Sequence, residues 1–494
     1  MRGHTLSITG LSILAGALIL SGCATPVPQS LPGAMQPRTF VGPVQADASV
    51  WPDTEWWKQF GDTELSGLVI KAEAQNRDLA RAAASVLAAE AQSTIARSAL
   101  LPQLGGQAGH LNEGCNGQSC LDFGSAKAYQ LTFNASYELD FWGLARDNLK
   151  AANEELKSAR FAQEVVALTV TANVADQYLN VLALRRRIAI ANDDIAAINN
   201  ILSVIKLRVK AGSISNLDLA QETAQLESVQ SQLPSLESAE RSSLYTLAVL
   251  LGQPPEGFEV KGENLDGVAA PKLAPGLPSE LLLRRPDVAE AEANLAAGHA
   301  DLDAARAAFF PSISLTGSGG FVSAAIGTLL QGPNFGYAYG INLVQTIFDG
   351  GKLIGQKDQA VATQDALIAS YQSAALGAYA DVETALVQVA NSERSATHLR
   401  GEIDAAREAF GIASLQYTQG AADLLTVLQA QQTLFSAEDQ LAQTELANRQ
   451  AIVHLFEALG GGWQEAPADR TQLAVARLPE AIAEREKPSS SGTD

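Results

Sequence analysis

Apolar residues recur every seven positions through one long stretch: Val174, Val181, Ile188, Ile195, Leu202 and Val209. A companion seam runs three residues on, through Gln177, Leu184, Ala191, Ile198 and Ile205. A heptad sustained this far predicts a helix that lies along partner helices and supercoils with them. The surrounding stretch, Leu144 to Ala211, contains neither glycine nor proline and is bounded by Gly143 and Gly212. As one helix it would be about 100 Å long at 1.5 Å per residue. Arg185, Arg186, Arg187, Asp193 and Asp194 exclude a membrane span.

Between residues 102 and 140 the period changes to two. Tyr129, Leu131, Phe133, Ala135, Tyr137 and Leu139 alternate with Gln130, Thr132, Asn134, Ser136 and Glu138. This is the pattern of a transmembrane β-strand, apolar to lipid and polar to lumen; a half-buried strand of a soluble protein alternates in the same way.

The organisation then repeats. Ala99-Leu100-Leu101-Pro102 returns as Ala308-Phe309-Phe310-Pro311, and Phe141-Trp142-Gly143 as Phe348-Asp349-Gly350. The helix break at Gly212 returns at Gly420, and the heptad returns in register as Val382, Val389, Ala396, Ile403, Phe410 and Tyr417. Landmarks this consistent predict an internal duplication.

The first repeat is placed at 61–252, with a hairpin over 102–140, a long helix over 143–211 and a helix over 213–251. Pro234 is expected to kink or split that last helix. The second repeat is placed at 281–465, with a hairpin over 311–348, a long helix over 351–419 and a helix over 421–459. In its returning strand Phe335, Tyr337, Tyr339, Ile341 and Leu343 share a face, while Val344 interrupts the polar one. Proline-rich residues 253–280 read as a linker, and the polar tail 466–494 as disordered.

The ends carry their own signals. An apolar run from Leu6 to Leu20 follows Arg2, so 1–22 reads as a secretory signal peptide. It closes on Leu20-Ser21-Gly22-Cys23, which resembles the bacterial lipobox and implies lipid attachment at Cys23. Ala24, where an aspartate would favour the inner membrane, points to the outer one. Residues 23–60 read as a tether, with Trp51, Trp56, Trp57 and Phe60 docking it on the first helical domain. In an exported chain Cys115 and Cys120 can close a small disulfide loop.

Composition narrows the function. The 494 residues carry a formal net charge of −20, which disfavours nucleic acid as a partner. Five scattered histidines and three cysteines offer no metal motif. No nucleophile with a base, paired acid and base, or phosphate loop is evident, so neither an enzyme nor a cofactor is expected. Four strands cannot close a membrane barrel, and open edges are not tolerated in lipid. The chain must therefore oligomerise. A dimer would make eight strands, filled by their own side chains, whereas a trimer would make twelve around a lumen.

The run Leu281-Leu282-Leu283-Arg284-Arg285-Pro286-Asp287-Val288, continuing to Phe310-Pro311-Ser312-Ile313-Ser314-Leu315-Thr316-Gly317, resembles the signature of NodT-type outer-membrane efflux lipoproteins. These belong to the TolC-like outer-membrane factor family. Ser215 to Gln221 and Leu425 to Gln431 resemble its two hairpin tips. The resemblance implies a homotrimer: a twelve-stranded β-barrel in the outer membrane, continued by a periplasmic α-helical barrel. It also implies a periplasmic adaptor, an inner-membrane pump, taken as proton-driven, and a passive duct for small amphipathic compounds. A type I protein-secretion channel and a pore-free periplasmic coiled-coil lipoprotein stay open as alternatives. In the family the tips pinch the tube shut, so Asp218, Asp423, Leu424 and Tyr417, beside the turns at Gly212 and Gly420, are the gate candidates. Each aspartate is equally placed to cap the helix after its turn. Gln429 stands where relatives often carry an acid, which weakens a double-carboxylate gate. Arg284 and Asp287 are expected to fix a helix start rather than touch cargo.

Overall fold

The computed structural model describes residues 39–42, 51–113, 126–272 and 278–463. The signal segment, Cys23, most of the tether, the pair Cys115 and Cys120, and the tail 466–494 lie outside them.

Each repeat runs helix, hairpin, long helix, turn, helix. The first holds α1 (Thr63–Gln75), α2 (Arg77–Ser98), β1 (Gln103–Glu113), β2 (Ala126–Glu138), α3 (Leu144–Lys210), α4 (Asn216–Gln230) and α5 (Leu233–Leu250). The second holds α6 (Pro286–Ala307), β3 (Ser312–Ser323), β4 (Phe335–Val344), α7 (Lys352–Gln419) and α8 (Leu424–Ala458). The long helices α3 and α7 have 67 and 68 residues.

Both long helices start on a left-handed glycine, Gly143 or Gly351, with no side chain to cap them. An aspartate a few residues upstream supplies the missing acceptor. Asp140 accepts from the amides of Ala145 and Arg146, each at 3.0 Å. Asp349 accepts from Gly351, Lys352 and Leu353 at 2.9, 3.1 and 2.9 Å. The same solution in both repeats orients the helices as they leave the sheet.

The heptad seam of α3 is the inner one: Val174, Val181, Leu202 and, from the companion seam, Leu184, Ala191, Ile198 and Ile205 are buried. The arginine run beside it is spent on packing. Arg187 makes a bidentate pair with Asp439 of α8 at 2.6 and 3.2 Å. Arg185 bonds Glu240 of α5 at 2.7 Å and the linker carbonyls of Val260 and Gly262 at 2.8 and 2.5 Å.

Past Gly212 the expected single helix is two helices, α4 and α5, separated at Ser231 and Gln232. Pro234 sits in the first turn of α5, where a missing N–H breaks no bond. Its counterpart α8 runs unbroken for 35 residues.

The main core lies at mid-height, and the aromatics after the tether reach into it. Trp56 stacks on Phe456 of α8 at 4.9 Å, with Phe60 6.1 Å from the same ring. The docking partner is thus the end of the second repeat as well as α1 and α3. Of the signature residues, Arg285, not Arg284, binds Asp287 at the start of α6, at 2.7 and 2.9 Å. Arg284 lies 4.5 Å over the Trp51 ring.

Candidate functional site

The four strands form one antiparallel sheet in the order β1-β2-β3-β4, so β1 and β4 are both edges. The register sorts side chains by chemistry. Gly106 pairs with Phe133 and Phe133 with Gly319, which pairs with Tyr337. Leu131 pairs with Phe321 and Phe321 with Phe335; Tyr137 pairs with Leu315 and Leu315 with Ile341. All of these share one face. Among the described residues nothing covers it: Tyr337, Tyr339 and Ile341 are 73%, 87% and 73% exposed. The opposite face carries Gln107, Thr132, Gly320, Gln130, Asn134, Ser318, Ser136 and Thr316. A Cβ on Gly320 would collide with the carbonyl of Leu131 and the Cα of Thr132, so this crossing admits only glycine. Aromatic rings against glycines, apolar outside and polar inside, are what a lipid-facing barrel wall requires.

At the sheet's helical end Trp142 stacks on Phe310 at 4.7 Å and donates to the Pro311 carbonyl at 2.8 Å. Ile347 and Phe348 stand nearly free of the chain, at 95% and 90% exposure. Rings with a polar tip at such a boundary fit a membrane interface.

The far ends of the long helices form two tips. Gly212 and Gly420 take φ of 71° and 77°, the left-handed turn that ends each helix. Ser215 caps α4, its hydroxyl accepting from Leu217 at 3.0 Å, and Asp218 sits in that helix's first turn. Asp423 caps α8, accepting from the amide and hydroxyl of Thr426 at 2.9 and 2.6 Å. Those donors hold its carboxyl below the usual range.

Tyr417 and Leu424 are not surface groups of the tip. They are 4% and 3% exposed and pack with Ile205, Ala413 and Val427 inside the chain's own helix bundle. The sequence-predicted four therefore divide: Tyr417 and Leu424 are internal, Asp218 is half-buried, and Asp423 is exposed. Sequence reading missed Arg208. Its guanidinium lies 5.1 Å from the Tyr417 ring centroid and donates to the carbonyls of Tyr417 and Thr418 at 3.0 and 2.6 Å. These are last-turn carbonyls of α7, which a cation satisfies well. One side chain thus ties the end of α3 to the end of α7. The Tyr417 hydroxyl itself has no partner, and burial, with Asp218 nearby, pushes its pKa up. Among the described residues no group of three His, Cys, Asp or Glu is arranged to hold a metal ion.

The profile of the outer membrane efflux protein family matches residues 68–253 and again 277–461, one match per repeat. The chain belongs to the outer membrane efflux protein family. It is 37% identical over 479 residues to the pyoverdine export outer membrane protein OpmQ of Pseudomonas aeruginosa, covering 95% of this chain and 99% of that one. It is 30% identical to the toluene efflux pump outer membrane protein TtgF of Pseudomonas putida, covering 94% and 98%. Among solved structures, the outer-membrane channel OprN superposes with a TM-score of 0.81 at 28% identity, over 88% of this chain and all of that one. The open state of the Neisseria gonorrhoeae MtrE outer membrane channel gives 0.80 at 28%, over 88% and 97%.

The fold is thus that of the trimeric outer-membrane efflux channels, with a membrane β-barrel continued by a periplasmic helical tunnel. This outer membrane efflux protein is a channel component of an efflux pump, not an enzyme. Membership removes the pore-free coiled-coil alternative.

Proposed function

We propose that three copies of this chain close a twelve-stranded barrel and act as a passive duct. Small amphipathic compounds pass through it from a proton-driven inner-membrane pump, through a periplasmic adaptor, to the outside. One observation carries this reading: an apolar sheet face bounded by two open edges, β1 and β4. Neither edge can stay unpaired in lipid, and further copies of the same chain would each offer a free β1 to a neighbour's free β4. Names such as pyoverdine export and toluene efflux among the relatives support small cargo of this class. Cys23 anchors the chain to outer-membrane lipid, and Cys115 with Cys120 staples the loop between β1 and β2.

Closure belongs to the tips. Asp218 and Asp423 act at or near their surface, while Tyr417 and Leu424 stiffen them from within, about the turns at Gly212 and Gly420. Outer membranes run unheated on a denaturing gel should show a band near three times the monomer mass that collapses on boiling. A monomer band in both lanes would overturn the assembly. Deleting the gene should raise cellular retention of the exported compound, and plasmid-borne chain should reverse it; a C23S variant should lose palmitate labelling.

A further inference from the structure

α4 is weakly held. Of its fifteen residues only Glu222 and Val229 are buried. Val229 packs with Ala191 and Ile198 of α3, as an apolar anchor should. Glu222 is 0% exposed, and neither carboxylate oxygen has a hydrogen-bond partner. An ionised carboxylate in that position loses its hydration and gains no donor in return.

The charged and titratable groups around it do not compensate. On its own helix Asp218 stands one turn back. On α3, Asp194 adds a like charge, and burial followed by that charge pushes Glu222 up to about 7. Arg208, also on α3, is engaged by the carbonyls of Tyr417 and Thr418 and by the Tyr417 ring. α7 presents Tyr417, whose hydroxyl is itself unpartnered. α8 presents Gln431, whose amide donates to Asp194 at 2.8 Å.

The helix also has a place to turn. It ends at Gln230, and α5 restarts at Leu233 after a two-residue turn at Ser231 and Gln232. α8, the equivalent helix of the second repeat, has no such break and buries a row of apolar residues along its length.

We propose that Glu222 is a proton-controlled clasp: neutral, it lets α4 lie against α3, and ionised, it releases α4, which swings out about Ser231 and Gln232. The direction follows from the chemistry. The neutral carboxyl tolerates burial without a donor, and loss of its proton to solvent creates a charge that only water can stabilise. Release therefore accompanies rising pH through neutrality. The clasp rests on the reading of the tips as the closing end only for its physiological meaning; the movement of α4 is a separate claim.

Hydrogen–deuterium exchange on the purified full-length protein tests it, from pH 5.5 to 8.5 and corrected for intrinsic exchange. Protection of residues 216–230 should fall about tenfold or more between pH 6 and 8, while residues 233–250 stay protected. E222Q and E222L should both keep α4 protected at pH 8. A flat wild-type profile, or the same fall in either variant, overturns the clasp. Planar-bilayer conductance on the same samples separates the two claims. Release of α4 without a change in conductance would leave the clasp standing and overturn the tip as the closing element.

Discussion

Arg208 and Asp423 stand at the two tips and do different work. Arg208 reaches from one long helix to the last carbonyls of the other. Asp423 satisfies the first turn of its own helix. Removing an N-cap costs about 1 kcal/mol, locally, whereas removing Arg208 unties two helices at once. In planar bilayers D423A should therefore raise leak conductance slightly, and R208A should raise it several-fold more. Unchanged conductance and cation selectivity in D423A would take that carboxylate out of closure altogether. Asp423 as a cap was legible in sequence, because an aspartate a few residues after a helix-ending turn suits that place; Asp218 was not, because Ser215 caps its helix instead. Arg208 was not, since its targets are backbone carbonyls about 210 residues away, set by how far two helices slide past each other. Tyr417 ends the heptad seam of α7, so its burial could be read there, whereas Leu424 opens α8 beyond the turn and its burial depends on how the two tips pack.

At the level of elements, period was the reliable signal. The seven-residue repeat marked the second halves of α3 and α7, from Val174 to Val209 and from Val382 to Tyr417, and alternation separated the two faces of β2 and β4. Duplication made each repeat a check on the other. What period could not show was the difference between repeats, where α4 and α5 are separate and α8 is continuous. Pro234 hinted at it, but proline at a first turn and proline as a breaker look alike in a string of letters. Strand pairing was equally out of reach, so the demand on Gly320 appears only with the register in hand. G320V should block the β2–β3 crossing, and the trimer band should vanish from outer membranes while G336V, with nothing near its added Cβ, keeps it.

For the whole molecule, protons and stability are linked. Asp176, beside His454 at 3.5 Å, holds its proton up to about pH 7 because burial outweighs the neighbouring imidazole. Glu222 does so up to about 7, and His454 is raised by its bond to Glu457. Each group binds its proton more tightly folded than unfolded. Their stabilisation is complete below the unfolded pKa values and is lost as pH rises through the folded ones. Every tenfold tightening of proton binding on folding contributes about 1.4 kcal/mol. The melting temperature should fall between pH 5 and pH 8, and D176N should flatten part of that slope. A D176N curve parallel to wild type would remove Asp176 from the account.

The two unpaired borders of the sheet have a genetic consequence. A subunit unable to offer a good β1 or β4 spoils a ring it shares with two sound neighbours. With equal synthesis of normal chains and chains whose β4 border is spoiled but which still join the ring, only about one ring in eight escapes by random mixing. A merodiploid strain should then behave nearly as the null, and the lesion should be scored as dominant.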